Sequence, residues 1–256
     1  MKLAVFPVLA LGAAWALVAA GSADAGTGPE ARTPVLVELF TSEGCSSCPP
    51  ADELLANLAK AQPVAGALVI PLSEHVDYWN HLGWSDPYSS KLFSERQNAY
   101  AAAFRNSGVY TPQAVVDGGV ELVGSDQGKL QSAIASAARD PKLHVVVTRG
   151  GAASSLRVRV EPSPSAPKGQ GAQVVLAIVE SGLQSQVSKG ENSGRRLSHT
   201  AVVRKLEVVG VVQDGVFEKE IAVKLDPSWK VENLSAVAFV QERPSGKVLG
   251  AGLGAL

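Results

Sequence analysis

Apolar positions along this chain follow two different rhythms. From Pro34 to about Asp140, short continuous apolar runs alternate with stretches of helical spacing. Val35–Phe40 predicts a strand. Pro49 and Pro50 then open a helix, where a first-turn N–H has no intrahelical partner to lose. Its stripe is Ala51, Leu54, Leu55 and Leu58, ending before Pro63. Ala67–Leu72 predicts a second strand. Asp86 and Pro87 read as the cap and first residue of another helix carrying Leu92, Phe93, Ala99, Tyr100, Ala103 and Phe104 inward. Gln113–Val116 and Val120–Val123, joined by Asp117-Gly118-Gly119, predict a hairpin. A last helix from about Asp126 turns Leu130, Ile134 and Ala137 inward. The order is β-α-β-α-β-β-α, with the first two strands parallel through a crossover helix.

From Leu143 onward the helical period is lost. Seven β-rich runs are predicted: Leu143–Thr148, Ser155–Glu161, Gln173–Glu180, Thr200–Val212, Val216–Leu225, Leu234–Gln241 and Lys247–Ala251. Gly, Pro and Ser separate them, as in Pro162-Ser163-Pro164-Ser165-Ala166-Pro167. Leu156-Arg157-Val158-Arg159-Val160 alternates apolar and charged faces. This pattern predicts an antiparallel, β-sandwich-like domain. The expected organisation is therefore residues 33–140 as an α/β unit and residues 143–256 as a β unit, with no internal repeat.

The first residues change the compartment. Lys2, the apolar run Leu3–Ala20 and Ala23-Asp24-Ala25 have the layout of a secretory signal peptide over residues 1–25. No cysteine lies near the cleavage position, so a lipid anchor is not expected. The mature chain, about 230 residues, is expected to be exported to the periplasm or secreted, without a membrane attachment. A net charge of -1 excludes a strongly basic nucleic-acid binder, and 46% hydrophobic residues suffice for a packed core.

Cys45 and Cys48 are the only cysteines, in Cys45-Ser46-Ser47-Cys48, where the first strand meets the first helix. Backbone N–H groups and the dipole at a helix start favour the thiolate. An ordinary thiol with pKa ~8.5 is only a few per cent ionised at neutral pH, whereas such sites reach ~3.5–7.5. The chemistry this suits is thiol–disulfide exchange, with Cys45 attacking and Cys48 resolving. A structural staple is the blander account, but so small a ring closes little chain. Half of a zinc site lacks its second Cys-x-x-Cys. Glu43, two residues before Cys45, would raise the thiol pKa if close to the sulfur.

Strand ends on one edge of such a sheet gather functional groups. Three segments converge there by topology: the Cys45 loop, Glu74–Trp84 after the second strand, and Thr111-Pro112. The middle segment holds His75, Asp77, Trp79 and His81, candidates for substrate binding or for tuning the thiolate. A hydrophobic lid with solvated histidines is its ordinary alternative. Glu191–His199, with Arg195 and Arg196, reads as a turn with solvated charges, or as a segment reaching across to the dithiol edge.

The element order and the position of Cys-x-x-Cys after the first strand resemble thioredoxins. That resemblance implies a cis-proline at Thr111-Pro112 facing the disulfide. Val37–Asp52, His75–Trp79, Tyr110–Gln113 and Glu191–His199 further resemble a secreted bacterial thioredoxin-like family of unknown function. It implies fold and export, not a settled activity. The expectation is an exported protein exchanging disulfides with thiols or disulfides of another protein, through Cys45 and Cys48, with Thr111, Pro112, His75, Asp77 and Trp79 holding the partner. No organic cofactor is implied, since no dinucleotide or P-loop fingerprint is present. Two alternatives stand beside it. One is copper(I) handling, with His75 or His81 as third ligand; copper-assembly relatives, however, space their cysteines one residue wider. The other is a non-catalytic binding module whose disulfide is structural.

Overall fold

The computed structural model describes residues 1–2, 32–152 and 154–256. The expected signal peptide and its cleavage position lie outside these. Residues 33–137 follow the expected order: β1 (Thr33–Thr41), α1 (Pro49–Ala61), β2 (Ala67–His75), α2 (Lys91–Phe104), β3 (Gln113–Val116), β4 (Val120–Val123) and α3 (Gln127–Ala137). One start differs. Asp86 does not cap α2; Ser90 does, accepting the Leu92 N–H, and the helix begins at Lys91. Asp86 is instead buried and spent on other partners, described below. Leu92, 44% exposed, and Ala99, two turns further on the same face, point outward rather than inward.

The second half contributes β5 (His144–Arg149), β6 (Ser155–Glu161), β7 (Gln173–Glu180), β8 (Leu183–Gln186), β9 (Arg196–His199), β10 (Val202–Val211), β11 (Phe217–Ala222), β12 (Leu234–Gln241) and β13 (Val248–Ala255). Its strands do not close on themselves as a separate sandwich. Four of them extend the sheet begun by the first half, in the order β13-β12-β7-β10-β2-β1-β3-β4. The junction is a parallel bridge, Val202 opposite Ser73. β5, β6 and β11 form a second, three-stranded antiparallel sheet, and β8–β9 a short hairpin of their own. The protein is thus mixed α/β, with one large mixed sheet and two antiparallel ones.

Both faces of the large sheet are covered, and strand alternation shows how. Val35, Val37 and Leu39 of β1 face α1 and α3, packing on Leu55, Leu58, Leu130 and Ile134. On the same face, Val174, Leu176 and Ile178 of β7 meet Val145, Val158 and Val160 of the small sheet. Leu36, Phe40, Val175, Val179 and Phe239 turn the other way, into one core with Phe93 and Tyr100 of α2. Strands buried on both sides need no polar alternation, hence the unbroken apolar run of β7.

β13 approaches β5 along Gly250, Gly252 and Gly254; a Cβ on Gly252 would stand 2.1 Å from the Val145 carbonyl oxygen. The sheet also curls until its ends meet. The Val248 N–H donates to the Asp117 carbonyl at 2.8 Å. Gly118 (φ +61) lies so close to Gly246 that a Cβ would be 1.9 Å from its oxygen. Beneath α2, Arg96 donates to Glu38 (2.6 Å), Gln241 (3.0 Å) and Tyr100 (3.2 Å), and Tyr100 donates to Glu38 (2.6 Å). Burial, with Glu38 beside it, holds the Glu74 carboxyl well above its ordinary range, Arg96 opposing.

Candidate functional site

β1 ends at Thr41, and the chain turns through Cys45 before α1 begins. Cys45 and Cys48 are joined by a disulfide (Cα–Cα 5.4 Å). Cys48 is the residue immediately before α1, and Pro49 and Pro50 start the helix as their missing donors allow. Both cysteines are 0% exposed, although Ser46 and Ser47 between them face solvent. Ser47 Oγ lies 3.3 Å from Cys45 Sγ.

The three expected segments do meet here. Thr111–Pro112 is a cis peptide bond. Trp79 links its segment to the other two: its indole N–H donates to Thr111 Oγ1 at 2.8 Å, and its Cβ packs against Gly44. Gly124 places Pro112 beside the first turn of α1, since a Cβ there would lie 3.3 Å from both Ala51 and Pro112. His75 closes β2 and is fully buried. Asp77 is elsewhere engaged: its carboxylate accepts from Ser94 of α2 at 2.5 Å, so it anchors the loop rather than facing the sulfurs. His81 is exposed on a 3-10 turn, Asn80–Leu82.

Around the disulfide stands a buried set of charges. Glu43 accepts from the Trp84 indole (2.8 Å) and pairs with His199 Nε2 (2.9 Å). Asp86 accepts the Glu43 N–H (2.8 Å) and pairs with His75 Nδ1 (2.7 Å). Burial alone would depress the His75 imidazolium, yet Asp86, with Asp52 and Glu43 further off, holds its pKa above 6.5. Burial likewise works against the Asp86 carboxylate, but His75 and two backbone N–H groups bring its pKa below 3.8. The rings of His75 and His199 meet edge-to-face at 4.8 Å, with Tyr88 against both.

Asp52 completes the set. It lies four residues after Cys48 on α1, its N–H bonded to the Cys48 carbonyl. Burial drives its pKa up to about 6, partly relieved by His75 and His199. Asp52 Oδ1, Thr41 Oγ1, His75 Nε2 and His199 Nδ1 are all buried without a hydrogen-bond partner among the described residues. No group of three or more His, Cys, Asp or Glu side chains among those residues is arranged to hold a metal ion.

The second half bonds to the same loop. Between β8 and β9, Asn192 (1% exposed) sends its side-chain amide to the Glu43 and Cys45 carbonyls, both at 2.9 Å. Its oxygen accepts from Arg195 at 2.9 Å, and Glu191 accepts the Ser46 N–H at 3.0 Å. Glu191–His199 therefore reaches the dithiol edge, although the β8–β9 hairpin itself was not legible. Asp52 did carry a signal, as an acid directly after Ala51 of the apolar stripe of α1.

A family defined as Protein of unknown function (DUF1223) matches residues 36–241, which include both cysteines, Asp52, His75, Asp86, Asn192 and His199. The chain belongs to that family. A crystal structure of a structural-genomics target protein from Agrobacterium tumefaciens is similar over 87% of this chain and 94% of its own, at 29% identity and TM-score 0.71. A domain of the outer membrane lipoprotein Omp28 from Porphyromonas gingivalis matches 45% of this chain and 88% of its own, at 16% identity. Its TM-score of 0.29 bears no weight for the fold. No curated protein matches the chain. Among the described residues of this DUF1223 protein, no helix is long and apolar enough to cross a membrane. A cleft of about 1180 Å³ exists between α2, β7, β10 and the β12–β13 turn, but the cysteines do not line it.

Proposed function

We propose that this DUF1223 protein is an exported thiol–disulfide exchange protein whose first half is thioredoxin-like and whose partner is another protein. The observation that carries this reading is the chemistry packed around Cys45–Cys48. A disulfide at the start of α1 is surrounded by two carboxylate–imidazole pairs and a third acid held near pKa 6. Ionisable groups taken out of water at such density are costly to a fold and concentrate where protons or charge must move. In the reaction, a partner thiolate attacks Cys45 Sγ and the Cys45–Cys48 bond breaks. Cys48 leaves as thiolate and takes a proton. A second partner thiol then displaces Cys45, so the partner gains a disulfide and this chain becomes the dithiol. The cis Thr111–Pro112 segment, tied to Trp79, would border the partner chain.

A second reading has its own support. The zero exposure of both sulfurs favours a binding module with a structural disulfide. The reduction potential of the pair, measured in glutathione buffers on metal-free protein, separates them. Exchange predicts a value above about -300 mV, with an oxidant or isomerase lying above about -200 mV. A pair that remains oxidised below about -300 mV refutes exchange and leaves the binding module.

A further inference from the structure

Cys45 is 0% exposed, so a partner reaches it only when part of its surroundings moves, and one segment bonded to its loop is residues 187–195. The polar groups of the Cys45 loop that this segment uses are of one kind. Asn192 donates to the carbonyl oxygens of Glu43 and Cys45, and Glu191 accepts the N–H of Ser46. Two acceptors and one donor of the backbone, immediately around the reacting sulfur, form the pattern by which an extended polypeptide is bound through its own peptide groups. Asn192 is a primary amide, chemically a peptide group on a side chain. It is fully occupied, with both N–H bonds spent on the Cys45 loop and its oxygen on Arg195. The turn carrying it is itself tied, Gly194 N–H to Val187 carbonyl (2.8 Å) and Val187 N–H to Arg195 carbonyl (3.0 Å). Leu197, Val187 and His199 pin its two sides into the core.

We infer that the β8–β9 hairpin tip, residues 187–195, is an intramolecular occupant of the partner-binding edge, with Asn192 and Glu191 standing in for the peptide groups of an extended partner segment. The disulfide is therefore capped, and exchange requires either spontaneous lifting of the tip or its displacement by a polypeptide that offers the same hydrogen bonds. This deepens the exchange reading and rests on it for the class of partner. The cap itself does not depend on it.

The test is the rate at which dithiothreitol reduces Cys45–Cys48 in the folded full-length chain. One dithiothreitol thiolate attacks Cys45, Cys48 leaves and is protonated, and the second dithiothreitol thiol closes its ring and frees Cys45. Three variants are compared with the parent protein: Asn192→Ala, Glu191→Ala and, as a control on the same turn, Ser193→Ala, whose hydroxyl donates to the Ser188 carbonyl. Asn192→Ala is expected to react at least tenfold faster, Glu191→Ala severalfold faster, and Ser193→Ala at the parental rate. Near-UV circular dichroism confirms the fold of each. If Asn192→Ala does not fold, Glu191→Ala decides alone. Parental rates in the folded variants overturn the cap. A faster Asn192→Ala with a reduction potential below about -300 mV would keep the cap and refute exchange.

Discussion

Asp52→Asn is the perturbation with the most readable outcome. The Asp52 carboxyl is withdrawn from water by burial, which moves its pKa from 3.8 to about 6. In the unfolded chain it titrates near 3.8. Between those values the folded state holds a proton that the unfolded state has lost, so stability falls as pH rises through this window. A shift of about two units at ~1.4 kcal/mol each makes the total loss ~3 kcal/mol by pH 7. Asparagine has nearly the same shape and no charge to desolvate, so it escapes the loss. The assay is guanidinium unfolding followed by tryptophan fluorescence at pH 4, 5, 6, 7 and 8, with the disulfide intact. The expected result is near parity at pH 4, with the variant gaining between pH 4 and 6 and leading by up to ~3 kcal/mol at pH 7. Hydrogen bonds that only a carboxylate makes would reduce that lead without changing its direction. Parallel stability curves across the whole range would refute the buried-acid assignment.

Further outcomes follow from other contacts. Arg96→Met leaves Glu38 and Glu74 buried without their cation and should cost about 3–5 kcal/mol. Burial raises the Glu74 pKa and Arg96 lowers it, so the loss should grow as pH rises above the ordinary carboxylate range, read by thermal unfolding at a series of pH values. His199→Phe strips Glu43 of its imidazole and should destabilise by about 3 kcal/mol in urea titration; a loss under about 0.5 kcal/mol would mean the pair is not formed. Gly252→Ala forces a methyl against the Val145 carbonyl and should cost about 1–3 kcal/mol, whereas Gly108→Ala, with open space around it, should stay within about 0.5 kcal/mol. Equal melting temperatures for the two would contradict the close approach of β13 to β5.

The legible parts of this protein are those fixed by local pattern. Ser155–Glu161, Gln173–Glu180 and Leu234–Gln241 are strands with the expected bounds, because the first alternates apolar and charged positions, the other two are apolar runs, and all are fenced by turn residues. The joining of the halves was not legible. Within the large sheet it is a single parallel bridge between Val202 and Ser73, and a hydrophobic run does not say which edge it will pair with. The site divides the same way. Cys45 and Cys48 form a short motif, and the cis Thr111–Pro112 bond follows from the resemblance to thioredoxins rather than from its own residues. The pairs His75–Asp86 and Glu43–His199 come from long-range packing, and Asp86 was drawn to a helix start by the proline after it. Leu183–Gln186 and Arg196–His199 escaped because they are short, polar and held mainly by each other.

The cap over the disulfide has a consequence for how the protein is made. Synthesis runs from the N-terminus, and Asn192 follows Cys45 by 147 positions. Both cysteines, with the helix that carries them, emerge well before the hairpin that will enclose them exists. During that interval the nascent thiols lie open to whatever oxidant the compartment provides. The arrival of the second half then shuts the finished bond inside, so formation of the disulfide and its later protection are separated in time by the order of the chain itself.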